Sequence, residues 1–168
     1  MKAQIRQTSA DQLAREQEFL RTFYGELIDC MKFLREPIAQ IFEAMRLEDF
    51  TSDRCDLIEP ILQAMRLIVS ASITVLSGPV VSAETRPYPL IMHLRLSTQN
   101  ILGTVTLVRN VRGQCRWNNF ANDPTGSYWH LRASLQDVVR DYHCLLALLA
   151  LLRQGQNDDL RSYFSATA

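Results

Sequence analysis

Residues 131–152, LRASLQDVVRDYHCLLALLALL, carry the most regular hydrophobic pattern in the chain. Large apolar side chains recur at alternating steps of four and three residues: Leu131, Leu135, Val138, Tyr142, Leu145, Leu149 and Leu152. This spacing places them on one side of an α-helix, because successive helical residues turn by about 100°. Gly155 follows, and glycine favours the left-handed conformation in which many helices end. The stretch therefore predicts a helix over 127–154.

The same periodicity, less regular, extends over most of the chain. Ser9 and Gln12 have the spacing of a capping box at the start of a helix, and Pro37 disfavours its continuation. The predicted helices cover 9–36, 38–47, 53–77, 90–112 and 127–154, and residues 156–168 are predicted to be a polar tail. The β-branched residues within 67–76 leave a strand as the alternative there, but the preceding helical periodicity continues through them.

Four long helices with apolar stripes and short connections predict an all-α fold. We expect an antiparallel four-helix bundle with a short extra helix after Pro37, because short connections join neighbouring antiparallel helices. Phe19, Phe23 and Phe33 widen the apolar stripe of the first helix. The chain has 168 residues, which fits a single domain over 1–168.

Composition and charge exclude several classes of protein. Hydrophobic residues make up 47% and charged residues 21%, and the 18 basic residues balance the 18 acidic ones. A neutral chain has no overall field that attracts nucleic acid or an anionic membrane. The longest uninterrupted apolar run, Cys144 to Leu152, is about half of a membrane span. We therefore expect an intracellular protein, cytoplasmic or nuclear, that is not transmembrane and keeps its four separated cysteines reduced.

The sequence contains no pattern typical of catalysis or cofactor binding. Glu-x-x-His pairs, a Gly-x-Ser-x-Gly turn and a glycine-rich phosphate loop are all absent. We accordingly predict no enzymatic activity, no cofactor and no metal. A bundle enzyme with a site built from scattered polar residues remains the alternative, because spacing cannot reveal one. Cys30 and Cys144 lie within or beside apolar stripes and are expected in the core.

The most informative feature is the uneven distribution of charge. Residues 1–84 hold 13 acidic and 9 basic groups, whereas residues 85–168 hold 5 acidic and 9 basic groups. The candidate binding residues form a cluster of arginines and aromatics near the end of the predicted helix 90–112: Arg109, Arg112, Arg116, Trp117 and Phe120. Arginine and aromatic residues are typical of interaction hot spots. The alternative is that the arginines offset the helix dipole and the aromatics fold back as a lid.

An acidic region, residues 36–59, complements this basic cluster. The ends of the first and third long helices lie at the same pole of an antiparallel bundle, so the two regions can be neighbours. In that case they neutralise each other within the molecule and the binding hypothesis weakens. If both are exposed instead, head-to-tail self-association becomes the expectation.

These features favour a helical protein–protein interaction module, such as an adaptor, scaffold or regulatory subunit. In outline the predicted architecture is similar to adaptor bundles of the focal-adhesion-targeting or vinculin type, an architectural analogy without shared motifs. Such bundles bind an amphipathic helix in a groove, and Gly103, Thr104 and Thr106 are the candidate wall. Binding of nucleic acid or an acidic lipid headgroup through the arginines is the alternative, and self-association of the chain is compatible with either.

Overall fold

The computed structural model describes residues 2–47, 52–113 and 126–155, and these residues form five α-helices. The helices are α1 (Lys2–Lys32), α2 (Arg35–Leu47), α3 (Ser52–Ser77), α4 (Tyr88–Gly113) and α5 (Ser127–Arg153). The all-α prediction is confirmed, since the described ranges contain no β-strand and residues 67–76 are helical. The predicted tail over 156–168 lies outside the described residues.

The first two helices differ from the prediction in their bounds. α1 begins at Lys2 instead of Ser9, and the chain breaks after Lys32 instead of at Pro37. A proline cannot donate a hydrogen bond to the carbonyl four residues earlier, and its ring clashes with that carbonyl, which here belongs to Phe33. The break at this point removes the conflict. Pro37 then lies in the first turn of α2, where no backbone donor is needed.

The apolar stripe of α5 forms the centre of the core. The first six of its seven residues are at most 1% exposed: Leu131, Leu135, Val138, Tyr142, Leu145 and Leu149. α4 and α1 pack on α5, and α2 contacts it as well. α3 packs mainly on α4 and contacts α1 and α2 far less. The arrangement is compatible with a helical bundle, in which α5 has several neighbours and α3 has one extensive neighbour.

A buried hydrogen bond joins α5 to the break between α1 and α2. The Tyr142 hydroxyl donates to the backbone carbonyl of Met31 at 2.7 Å, and that carbonyl also accepts the amide of Leu34 at 3.0 Å. Burial raises the pKa of Tyr142, while the charge of Arg35 partly opposes the shift. Tyr142 thus remains a hydrogen-bond donor at neutral pH and holds the end of α1 against α5.

A second polar contact ties α1 to the connection between α3 and α4. The Glu16 carboxylate accepts the hydroxyl of Ser82 at 2.6 Å, the amide of Ser82 at 3.2 Å and the side-chain amide of Gln12 at 3.1 Å. Three side-chain hydrogen bonds lower the pKa of Glu16 from 4.5 to about 2. The Ser82 hydroxyl has the largest effect, followed by Thr85 and then Gln12. Residues 9–15, which precede Glu16, are all exposed, so this contact marks where α1 joins the packed part of the molecule.

We predict that the Glu16 contact makes stability depend on pH in the acid range. The folded-state pKa lies below the ordinary value of 4.5, so the stabilisation is present above pH 4.5 and is lost as the pH falls toward 2. Glu16→Gln should therefore reduce the slope of unfolding free energy against pH between pH 5 and 3, measured by urea denaturation. Glu18→Gln, at an exposed position, serves as the control. Equal slopes for wild type and Glu16→Gln would contradict the prediction.

Candidate interaction site

The predicted basic cluster meets the acidic region within the molecule. Arg109 Nε donates to Glu59 Oε1 at 2.7 Å, and Arg112 Nε donates to Asp56 Oδ1 at 2.8 Å. Arg112 Nη1 also lies 3.5 Å from Glu59 Oε2, and the Glu59 side chain is only 15% exposed. The start of α3 therefore lies beside the end of α4, and the opposite charges neutralise each other. This is the internal pairing that the sequence left open as an alternative.

The other three residues of the predicted binding cluster, Arg116, Trp117 and Phe120, lie outside the described residues, so their role stays a prediction. A cavity of about 400 Å³ opens beside Arg112 and is lined by Asp56, Glu59, Pro60, Gln63 and Arg112. Its lining holds two carboxylates and one guanidinium, so its charge does not suit an anionic ligand. The described part of the basic cluster thus forms ion pairs instead of an open anion site.

Polar side chains that looked separate in the sequence meet between α4 and α5. Asn100 Nδ2 donates to Asp141 Oδ2 at 2.8 Å, and His93 Nε2 lies 3.4 Å from the Asp141 carbonyl oxygen. The hydroxyls of Thr104 and Ser134 are hydrogen-bonded to each other. Thr104 is fully buried, so it does not line an outer groove as predicted. Gly103 does lie at the surface, with nothing within 4 Å of where a Cβ would stand.

Three of the cysteines lie in the described part of the chain. Cys30 is exposed and Cys144 half-buried, so the prediction that both lie in the core was wrong; Cys55 is buried. Cys30 directly precedes the buried Met31 and is turned about 100° away from it around the helix. Within the described ranges, no three His, Cys, Asp or Glu side chains come close enough to hold a metal ion.

The largest unexplained feature is an exposed apolar surface on α3 and α4. Seven large apolar side chains on these helices are between 36% and 64% exposed: Leu57, Leu67, Val75, Tyr88, Met92, Leu96 and Leu102. We call this surface the α3–α4 face. Around the helix axis, the three on α3 span an arc of about 80° and the four on α4 an arc of about 120°. Each arc lies opposite the buried stripe of the same helix. α3 packs along α4, so the two exposed strips belong to neighbouring helices.

Charged residues are almost absent from the same part of the hairpin. The helical residues 60–77 and 88–108 contain only two, Arg66 and Arg95. Neither forms an ion pair with another described residue, and neither α3 after Glu59 nor any part of α4 contains Asp or Glu. An ordinary surface helix carries charged residues along its solvent face, and this hairpin does not.

α3 is apolar enough, by length and composition, to cross a membrane. The most apolar 18-residue window of Cys55–Ser77 has a mean hydropathy of 1.5, and only 28% of that window is buried inside the molecule. Arg66 and several serines interrupt the apolar residues of this helix, so it contains no long uninterrupted apolar run. The α3–α4 face was not predicted from the sequence. Low charge over 60–108 was the signal that could have revealed it.

Comparisons with protein-family models, with curated proteins and with solved structures found no match. The function is therefore inferred from the chemistry of the surfaces themselves. Two surfaces stand out in the described residues: the neutralised ion-pair cluster of Asp56, Glu59, Arg109 and Arg112, and the uncharged α3–α4 face. Of these two surfaces, only the α3–α4 face exposes apolar area to water, and removal of that area from water is favourable.

We predict that Arg112 and Glu59 are energetically coupled. Arg112→Gln and Glu59→Gln should each lower the unfolding free energy by no more than ~1 kcal/mol, because the arginine side is well exposed to solvent. The double variant should lose less than the two single losses combined, and 1 M salt should shrink that difference. Arg95→Gln combined with Glu59→Gln is the control and should show additive losses. Additive losses for the Arg112 pair, measured by urea denaturation, would contradict the pairing.

Proposed function

We propose that this protein is a helical protein–protein interaction module, without catalytic activity, whose binding surface is the α3–α4 face. One observation carries the proposal: seven large, exposed apolar side chains lie on two adjacent helices that carry only two charged residues over most of their length. Exposed apolar patches larger than a few hundred Å² mark interaction sites, because their removal from water is favourable.

The size of the α3–α4 face suits a protein partner. The exposed apolar side chains span about 27 Å of α3 and about 21 Å of α4. Paired helices lie 8–10 Å apart, so a face two helices wide covers roughly 400–500 Å². A typical stable interface covers about 800 Å² on each partner. The face is therefore about half of such an interface, which suits one partner helix.

We also propose that the four long helices form an antiparallel bundle, which supports this face from behind. The Glu59–Arg109 ion pair lies at one end of the α3–α4 hairpin, and Arg86 donates to the Gly78 carbonyl near the other. On α4 and α5, Asn100 contacts Asp141 and Thr104 contacts Ser134, so the contacts run in opposite directions along the two helices. Both observations support opposite directions for neighbouring helices.

Binding of an anionic ligand is less well supported. Arg109 and Arg112 already have carboxylate partners, and a phosphate would have to displace Glu59, whose side chain is 15% exposed. The α3–α4 face requires no such exchange, because contact with an apolar partner removes only apolar surface from water. For this reason we propose the α3–α4 face, and not the arginine cluster, as the binding surface.

The proposal is tested by site-specific photo-crosslinking in cells that express the protein. We expect a photoreactive phenylalanine analogue at Leu67 or Leu96 to form discrete protein adducts, with the attached protein identified by mass spectrometry. The same analogue at Glu26 or Asp29, exposed positions on α1, is the matched control and should form none of these adducts. Leu67 and Leu96 are 64% and 57% exposed, so the replacement should leave the fold intact.

A second pair of variants separates loss of contact from loss of folding. Met92→Asp should abolish the adduct formed at Leu67, whereas Glu18→Gln, at an exposed position on α1, should preserve it. Gly103→Ala should raise the unfolding free energy by about 0.5–1 kcal/mol, because its added Cβ meets nothing within 4 Å. Adducts only with lipid, or equal adducts at Leu67 and Glu26, would overturn the proposed function.

A further inference from the structure

Resting on the proposed function, we propose that the partner of the α3–α4 face is an amphipathic helix whose carboxylates pair with Arg66 and Arg95. These two guanidiniums are the only charged groups on the helical residues 60–77 and 88–108. Carboxylate partners are already supplied within the molecule to the neighbouring Arg109 and Arg112. Arg66 is half-buried and Arg95 exposed, and neither forms an ion pair with another described residue. An acidic partner would supply the missing carboxylates.

The ion pairs between α3 and α4 give the spacing of the two arginines. Glu59 pairs with Arg109 and Asp56 with Arg112, so in this register Arg66 is level with Leu102. Arg95 lies seven residues from Leu102 along α4, which is about 10 Å at 1.5 Å per residue. Two carboxylates seven residues apart lie on the same side of a helix and have the same separation along the helix axis. One partner helix lying along the hairpin can therefore pair with both arginines.

Apolar contacts and ion pairs would contribute differently to recognition of the partner helix. Leu67 and Leu102 are 64% and 41% exposed, and each lies within one residue of the level of Arg66 in this register. A helix with apolar residues at steps of three and four would cover them, with its acidic residues flanking that stripe. The apolar stripe supplies most of the affinity, and the two ion pairs set the direction and register of the helix.

A second copy of the same face is the less favourable occupant. It contributes arginines and no carboxylate, so pairing of two such faces brings only like charges together. A lipid surface is also disfavoured, because Arg66 lies at the middle of α3, far from either end. Immersion of the apolar face would draw its guanidinium toward the hydrocarbon, which is costly. Charge complementarity thus selects an acidic amphipathic helix.

The experiment is a selection from a library of displayed helical peptides on the full-length protein. The library presents 21-residue helices with an apolar stripe and random flanking positions, and enriched sequences are counted. We expect wild type to enrich Asp or Glu at flanking positions seven residues apart. An Arg66→Glu, Arg95→Glu variant should enrich Lys or Arg there instead, and should bind the wild-type peptides roughly tenfold more weakly or worse. Arg66→Gln, Arg95→Gln should lose the acidic preference without reversing it.

Folding is checked by circular dichroism and thermal unfolding of each variant, and Glu18→Gln is the charge-changing control on α1. Enrichment of apolar helices without an acidic preference would overturn this inference and leave the proposed function standing. Enrichment that Met92→Asp does not reduce would overturn both. Binding of phosphatidylserine vesicles that the two Arg→Glu changes abolish, or a wild-type dimer in sedimentation that Met92→Asp dissociates, would show another occupant and overturn the inference as well.

Discussion

Burial of the apolar stripe of α5 is the interaction on which the rest of the structure depends. Leu135, Val138 and Leu145 are at most 1% exposed, and full burial of such a side chain contributes about 1.5–3 kcal/mol. Removing the whole stripe from water requires several helices, and α1, α2 and α4 supply them. α3 reaches the core mainly through α4, so it has fewer neighbours to cover its own apolar residues. The same packing that stabilises α5 therefore leaves much of α3 in contact with solvent.

The elements predicted best from the sequence are those whose pattern is both long and one-sided. The helix predicted over 127–154 is observed as Ser127–Arg153, because the stripe from Leu131 to Leu149 continues without interruption. The start of α1 was misplaced because Ser9 resembles a cap, yet nothing N-terminal to it prevents helix formation. The break between α1 and α2 lies before Pro37 and not at it, because the proline ring clashes with the carbonyl of Phe33, four residues earlier. Pro37 itself fits the first turn of α2.

The candidate site was harder to predict, because it depends on which helices are neighbours. Periodicity gives the side of a helix that is apolar, but not how many helices cover that side. Leu67 and Leu96 are exposed because no described helix covers them. The pairing of Glu59 with Arg109 was one of two alternatives for the same reason, since it depends on which helix ends lie at the same pole. The contact of Asn100 with Asp141 likewise depends on α4 and α5 being neighbours.

The charges of the hairpin fall into two groups with different physical consequences. At one end, Asp56, Glu59, Arg109 and Arg112 neutralise each other, so this cluster stabilises the junction of α3 and α4 and offers little net attraction to a ligand. Arg66 and Arg95, on the two helices of the α3–α4 face, form no ion pair with another described residue. A buried unpaired guanidinium is costly, so a purely apolar partner that covered this surface would lose part of the energy gained from apolar contact. A partner with matching carboxylates avoids that loss, and the two arginines thereby discriminate among helices that the apolar surface alone would accept.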